Sequence, residues 1–260
     1  MRRGLLALCA LLALLAPSPA AAELLAEIRS RGVLKVGMAE YEPWMTRGAD
    51  GKPVGLEVEL AERLAGDLGV ELEVVAMPFE ALVDRLAVRE VDLIASNLSI
   101  TPERALKVAF SEPYSLSAIR VVIRTDRTDP ELTEDDLNVA GTEIAVTAGT
   151  TSAQAAAERF PLAEITEYPT HADARAALLD GQAVALVGST PYPELLAAAD
   201  DRVAILHEEP LRTTVEALAV PQGEPVLLTF LNNWLDAVAA EGFVEAARSD
   251  WLIPHTPPAR

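Results

Sequence analysis

EVELAERLAGDLGVELEVV, residues 57–75, decides the fold class. Leu60, Ala61, Leu64, Ala65 and Leu68 recur at the spacing that lays an apolar stripe along one face of a helix. Gly69 stands one residue past the stripe, where a helix ends by turning left-handed and a Cβ is a handicap. From Glu71 to Val75 the period changes and the segment reads as a strand. Upstream, Val33-Leu34-Lys35-Val36-Gly37 is a short apolar run ending in glycine, a buried first strand. It is followed by a loop at Tyr41-Glu42-Pro43-Trp44 and a turn at Asp50-Gly51. Downstream, Phe79 to Leu86 is predicted as a helix with Leu82, Val83 and Leu86 inward, and Val91 to Ala95 as a third strand. Strand–helix–strand alternation implies a parallel α/β sheet, whose ligand sites lie beyond the carboxyl ends of its strands. The loops after Gly37 and after Ala95 are therefore expected to meet in one crevice.

A second alternating unit follows. Ile119–Ile123, Glu143–Thr147, Val184–Val187 and Val215–Val220 read as strands, and 126–138 as a polar, turn-rich connection. Helices are expected over 153–159, 174–179, 195–199, 227–240 and 244–251. The chain thus reads as two α/β units with no internal repeat of fixed period.

The start of the chain bears on compartment. Arg2 and Arg3 precede an apolar run from Leu5 to Ala16, and Ala20-Ala21-Ala22 supplies small residues, the make-up of a cleaved secretory signal over residues 1–22. The run is shorter than the roughly 20 residues a membrane span needs. The single cysteine, Cys9, leaves with it, so the remaining 238 residues hold no disulfide, thiolate metal site or cysteine nucleophile. Those residues carry 19 basic against 40 acidic side chains, a balance that repels nucleic acid and anionic membranes. His171 and His207 have no partner at metal-ligand spacing and are expected at the surface. No cofactor is expected.

Ser96-Asn97-Leu98-Ser99-Ile100-Thr101-Pro102-Glu103-Arg104 carries the chemistry. Thr101 suits an N-cap, Pro102 the first helical position and Glu103 the first turn, whereas Arg104 opposes the helix dipole. A guanidinium fork beside Ser96, Asn97 and Ser99 at a strand end describes a site for a carboxylate. Gly149-Thr150-Thr151-Ser152, again between strand and helix, offers a second set of N–H and O–H donors; such caps also occur with no ligand to bind. Tyr41, Trp44 and Phe79 border the first crevice, either to stack on a ligand or to fill the core.

These motifs, in this order, resemble family 3 solute-binding proteins, the receptors of polar amino-acid ABC importers. The resemblance rests on Gly55-Leu56-Glu57-Val58-Glu59-Leu60, on Ser96 to Arg104, on Phe110-Ser111-Glu112-Pro113-Tyr114, on Ala148 to Ser152 and on the ending Trp251-Leu252. It implies a two-lobed periplasmic-binding-protein fold, each lobe a mostly parallel sheet flanked by helices, with two hinge crossovers near Ser117 and Thr213-Thr214. Lobe 1 would comprise 23–116 and 214–260, and lobe 2 would comprise 117–213. The resemblance further implies a periplasmic monomer that delivers its ligand to a permease in the inner membrane. Arg104, Ser99 and Thr151 would hold a ligand carboxylate, Ser96 and Asn97 would add contacts, and Tyr41 and Phe79 would flank the ligand.

Two departures stand out. Ser189 occupies the place of the family's usual aspartate for an α-ammonium, and Met38 replaces an earlier acidic position. Glu194 and Glu216 are the available substitutes; each also reads, more simply, as an exposed or salt-bridged carboxylate. The competing functions are a cyclohexadienyl dehydratase-like enzyme, with Glu194 as candidate acid, and an accessory or signalling protein with an altered ligand.

Overall fold

The computed structural model describes residues 23–128, 132–207 and 209–252, so the expected signal segment lies outside the described residues. The strands are β1 (Val33–Met38), β2 (Thr46–Arg47), β3 (Pro53–Val54), β4 (Glu71–Ala76), β5 (Leu93–Ile94), β6 (Val108–Phe110), β7 (Ser115–Arg124), β8 (Glu143–Thr147), β9 (Glu164–Tyr168), β10 (Ala185–Ser189), β11 (Val203–Ile205), β12 (Arg212–Glu216) and β13 (Ala219–Pro221). They form two main sheets and a small β2–β3 hairpin. The first sheet has the order β4-β1-β5-β13-β6; the second runs β11-β7-β10-β8-β9, with β12 also paired to β7. Each contains a parallel run, β4-β1-β5 in one and β10-β8-β9 in the other. The strands nearest the crossings between sheets, β13 and β7, join antiparallel.

The chain leaves the first sheet after β6 and returns between β12 and β13. The apolar run 215–220, expected as one strand, is therefore split: β12 lies on the second sheet and β13 on the first. Ala217 and Leu218 between them are fully buried, which is why the run looks continuous in sequence. Ser117 and Thr213-Thr214, expected at the hinges, fall inside β7 and β12, where Thr214 pairs with Ser117. The two crossings are thus one hydrogen-bonded ribbon. Its root is tied to the loop after β5, because Ser99 bridges Glu216 and the Ile100 N–H donates to the Val215 carbonyl (2.9 Å).

The helix Leu56–Leu68 buries Leu60, Leu64 and Leu68 as its spacing requires, and Gly69 ends it at φ 71°. Its first residue follows Gly55 at φ 137°, where a Cβ would stand 2.4 Å from the Trp44 carbonyl oxygen. One face of the first sheet packs Leu34, Val36 and Met38 into a core shared with Leu64 of that helix and with the long helix Pro225–Ala240. The other packs Phe79, Leu82, Leu86 and Ile94. Period-2 alternation divides the second sheet in the same way. Ile119, Val121, Ile123, Ile144 and Val146 face Phe160, while Val122, Ala145 and Leu186 face Ala174, Leu178 and Leu196. Tyr41, Trp44 and Leu56, from the first sheet's side, join that last cluster, so the two domains are in contact. Met38 is wholly buried in the first core.

Candidate functional site

Residues just beyond the carboxyl ends of strands in both sheets converge on one crevice. Tyr41 follows β1, Phe79 follows β4, and Asn97 and Ser99 follow β5. From the second sheet, Thr150 and Thr151 follow β8, His171 follows β9, and Ser189 ends β10. The strand polarity alone brings them together, as parallel sheets do. Trp44 does not join them: it is 1 % exposed among core residues and its indole N–H has no partner. Ser96 is likewise spent on the scaffold, its Oγ accepting the Ala39 N–H (2.9 Å).

Most of the remaining residues touch one another across the domains. The Tyr41 hydroxyl donates to the Ser189 carbonyl (2.8 Å) and accepts the Ser189 N–H (3.1 Å). Ser99 Oγ and Thr151 Oγ1 share a hydrogen bond of 3.2 Å. Asn97, at a left-handed φ of 48°, reaches Ser189 Oγ with its amide (3.5 Å). Its N–H donates to Glu57 Oε1 (2.8 Å), which the Tyr114 hydroxyl also approaches. Burial drives the Glu57 carboxyl up to about 7, against the effect of those two donors. Gly149 lies so close to Glu80 that a Cβ there would be 2.8 Å from the Glu80 Cβ. Room for the centre of a water-sized sphere between the domains is only about 20 Å³, enough for one water. An adjoining groove of about 420 Å³ opens on the other side of Phe79 and Thr151.

Arg104 lines that groove. Thr101 caps its short helix as the sequence predicts, accepting the Arg104 N–H (3.2 Å). The guanidinium donates through Nη1 to the Ser99 carbonyl (2.8 Å) and through Nη2 to the Gly149 carbonyl (3.0 Å), one acceptor from each domain. Its Cζ sits 5.4 Å from the centroid of the Phe79 ring. Desolvation lowers its pKa to about 10, leaving it charged at neutral pH. Among the described residues no carboxylate forms an ion pair with it; the two carbonyls and the ring face are its contacts, and Glu103 beside it in the chain favours its charge. A part-buried cation whose fork is only partly used by carbonyls can accept an anion.

His171 overturns an expectation. Instead of lying at the surface, its imidazole stacks on the Tyr41 ring, with centroids 3.5 Å apart and planes 19° from parallel. Burial depresses its pKa to about 3, so it is neutral. The sequence reading missed β9, so His171 was not recognised as the first residue beyond a strand end. The carboxylates considered as substitutes for the missing aspartate do not line the inner cavity, though both act on the buried Tyr41 hydroxyl. Glu194 pairs with Arg120 (3.0 Å), and Glu216 is fully buried, accepting from Thr214 Oγ1 (2.7 Å). Among the described residues no carboxylate lines the inner cavity; Glu80, Asp84, Glu103 and Glu167 line the outer groove. Thr150 lines both spaces, but its hydroxyl caps the following helix, accepting the Ala153 N–H (3.1 Å).

The family model described as bacterial extracellular solute-binding proteins, family 3, matches residues 34–254. The chain is 28% identical over 234 residues to the L-cystine-binding protein TcyJ of Escherichia coli strain K12, covering 88% of this chain and 86% of that protein. It is 26% identical to the cyclohexadienyl dehydratase of Pseudomonas aeruginosa, covering 99% of this chain and 97% of that one. Among solved structures, an ancestral amino acid-binding protein described as a precursor of cyclohexadienyl dehydratase superposes with a TM-score of 0.83. It is 32% identical, with 88% of this chain and 99% of that chain covered.

Proposed function

The chain belongs to family 3 of the bacterial extracellular solute-binding proteins, and we propose that it captures a small carboxylate-bearing solute between its domains for an ABC importer. Arg104 carries this reading. A guanidinium has five N–H donors in a planar fork, and two of its bonds here go to carbonyls, one on each domain. The rest of the fork and the positive charge are available to an anion in the groove. Ser99 and Thr151 hydroxyls, which meet each other across the cleft, are the neutral donors beside it. A ligand carboxylate held by these groups touches both domains at once, so its binding favours their closure. The amino-acid-binding relatives support a ligand of this class, an amino acid or a related organic acid.

We read the protein as a receptor rather than an enzyme. Elimination of the dehydratase type needs a proton donor in the cleft, and the inner cavity is lined by hydroxyls, an amide and a neutral imidazole without a carboxyl group. We further propose a periplasmic, monomeric protein released by cleavage after Ala22. No helix among the described residues is long and apolar enough to cross a membrane.

The test is Arg104→Ala, assayed by calorimetry against a carboxylate panel. Removing one partner of a desolvated charge pair costs about 2–5 kcal/mol, roughly 30- to several-thousand-fold in affinity. An unchanged dissociation constant would remove Arg104 from the site, and with it the basis for a carboxylate ligand.

A further inference from the structure

Two glutamates lie fully buried beneath the crossings between the domains. Glu57 stands in the first turn of the helix Leu56–Leu68, and Glu216 ends β12, where the returning chain enters the first domain. Tyr114 joins them: its hydroxyl approaches Glu57 Oε1, and its N–H donates to the Glu216 carbonyl (3.0 Å). The next residue, Ser115, begins β7 and the outward crossing. The two carboxyls therefore sit at the root of both strands of the ribbon.

Donors converge on one oxygen of each carboxyl. The Asn97 N–H and the Tyr114 hydroxyl serve Glu57 Oε1; the Thr214 hydroxyl serves Glu216 Oε1 (2.7 Å), with the Ser115 and Ser117 hydroxyls also acting on that group. The other oxygens, Glu57 Oε2 and Glu216 Oε2, are buried without a partner among the described residues. An ionised carboxylate is costly in such a place, and a proton on the free oxygen removes the charge without disturbing the donors on the other. Burial raises both carboxyls, and the charge of Glu216 raises Glu57 further. Arg248, from the helix Phe243–Leu252, acts the other way on Glu216 while donating to Ser115 Oγ (2.7 Å). Tyr114 and Tyr41 feel Glu216 as well, and burial keeps both phenols protonated. Glu194 acts on Tyr41 from the second domain, and Glu59, on the same helix as Glu57, is held by the Trp251 indole (2.8 Å).

Closure reaches the two carboxyls through Asn97 and Tyr41. The Asn97 side chain accepts from Ser117 Oγ on the ribbon and donates to Ser189 Oγ on the second domain, both at 3.5 Å. The Tyr41 hydroxyl bonds the Ser189 backbone. When the domains part, the contacts to Ser189 break and water reaches Asn97 and Tyr41, the neighbours of the carboxyls on the cleft side. Water stabilises a carboxylate far more than a carboxylic acid, so the proton is held more firmly in the closed form than in the open one.

We infer that Glu57 and Glu216 form a proton-operated hinge: closure takes up a proton onto this pair, and loss of that proton drives the domains apart. A group whose pKa is higher in the closed form favours closure fully at acid pH. That preference is lost as pH rises through its closed-form value, about tenfold in the closing equilibrium per unit between the two values. For Glu57 the loss falls on the approach to neutrality and beyond. The inference rests on closure of the two domains, not on what the cleft binds.

The test needs no ligand. Ser99→Cys with Thr151→Cys replaces two hydroxyls that meet across the cleft at 3.2 Å, and oxidised glutathione joins the thiols in the closed form. Residues 23–260 contain no other cysteine. Infrared titration of the protonated-carboxyl band then compares the locked with the reduced protein, in the mature chain and in its Glu57→Gln/Glu216→Gln variant. Circular dichroism melting establishes that each is folded. The locked form should release a carboxyl proton about half a pH unit or more above the reduced form, a shift of about threefold or more in the closing equilibrium. The glutamine variant should show no such difference. In the chain without added cysteines, the radius of gyration should grow as pH rises from about 5.5 to about 8.5, and the glutamine variant should abolish the growth. Equal midpoints in the locked and reduced protein overturn the inference, whether or not the glutamine variant folds. So does a radius indifferent to pH, or a pH response that the glutamine variant retains. An opening that follows added sodium or calcium instead of pH also overturns it, and assigns the two carboxyls to a metal ion.

Discussion

Tyr41→Phe deletes one oxygen from the interface between the domains and leaves the ring in place. That oxygen accepts the Ser189 N–H and donates to the Ser189 carbonyl, and both residues are nearly inaccessible, at 5 % and 8 % exposure. When the domains part, water satisfies the same backbone groups; when they meet around a phenylalanine, nothing does. The substitution therefore acts on the closed form alone. Each hydrogen bond contributes about 0.5–1.5 kcal/mol net, so losing two weakens closure by about 1–3 kcal/mol. At about 1.4 kcal/mol per decade, that is roughly a 5- to 150-fold change in the closing equilibrium. Ligand affinity falls by the same factor when the binding-competent form is the minor one. The assay pairs calorimetry with small-angle scattering at matched ligand saturation. Tyr41→Phe should bind more weakly and show a larger mean radius at subsaturating ligand, with an unaltered unfolding midpoint in the absence of ligand. Equal affinity and equal scattering would mean that this hydroxyl is no latch and that domain contact does not depend on it.

Glu57→Gln should flatten the pH dependence of stability. A buried carboxyl raised from 4.5 to about 7 holds its proton in the folded state after the unfolded chain has released it. Its contribution is thus full below pH 4.5 and lost as pH rises toward 7 and beyond, by up to about 3 kcal/mol. Glutamine keeps an acceptor for Asn97 and Tyr114, so urea unfolding should show the variant gaining on the unmodified protein from pH 5 to pH 8; parallel curves would contradict the reasoning. Gly149→Ala should lower ligand affinity at least tenfold, because its φ of 71° disfavours a side chain and its Cβ would strike Glu80 only in the closed arrangement. Unchanged calorimetry would show that the domains do not close onto this loop.

The readability of the sequence differed between elements for physical reasons. The helix 56–68 was legible because its stripe, glycine stop and change of period all agree. The motif 96–104 was legible because Thr101-Pro102-Glu103 spells a helix start beside a strand end rich in hydroxyl and amide groups; the expected clash of Arg104 with the helix dipole does not arise, since the helix ends at Ala105 and Arg104 stands in its last turn. β9 was missed because an edge strand alternating Glu, Ile, Thr, Glu and Tyr carries a weak apolar signal, and β6 and β11 because three residues are too few. With β9 went His171. Trp44 was misplaced for another reason: loop membership says nothing about which way a ring points, and the bare Gly55 beneath its backbone lets this loop fold inward. The run 215–220 was read as one strand because burial, unlike periodicity, does not record which of two sheets does the burying.

The ribbon formed by β7 and β12 constrains how such a molecule can be used as an instrument. Two independent linkers would let the domains twist, slide and rock separately. Strands paired from Ser115–Glu216 through Ile119–Arg212, and rooted at Ser99, leave bending of the ribbon as the soft direction. If the domains open about this ribbon, opening would follow a single coordinate and both ends of the cleft would separate in step. Dyes attached at two well-separated pairs of points across the crevice would then report the same occupancy curve.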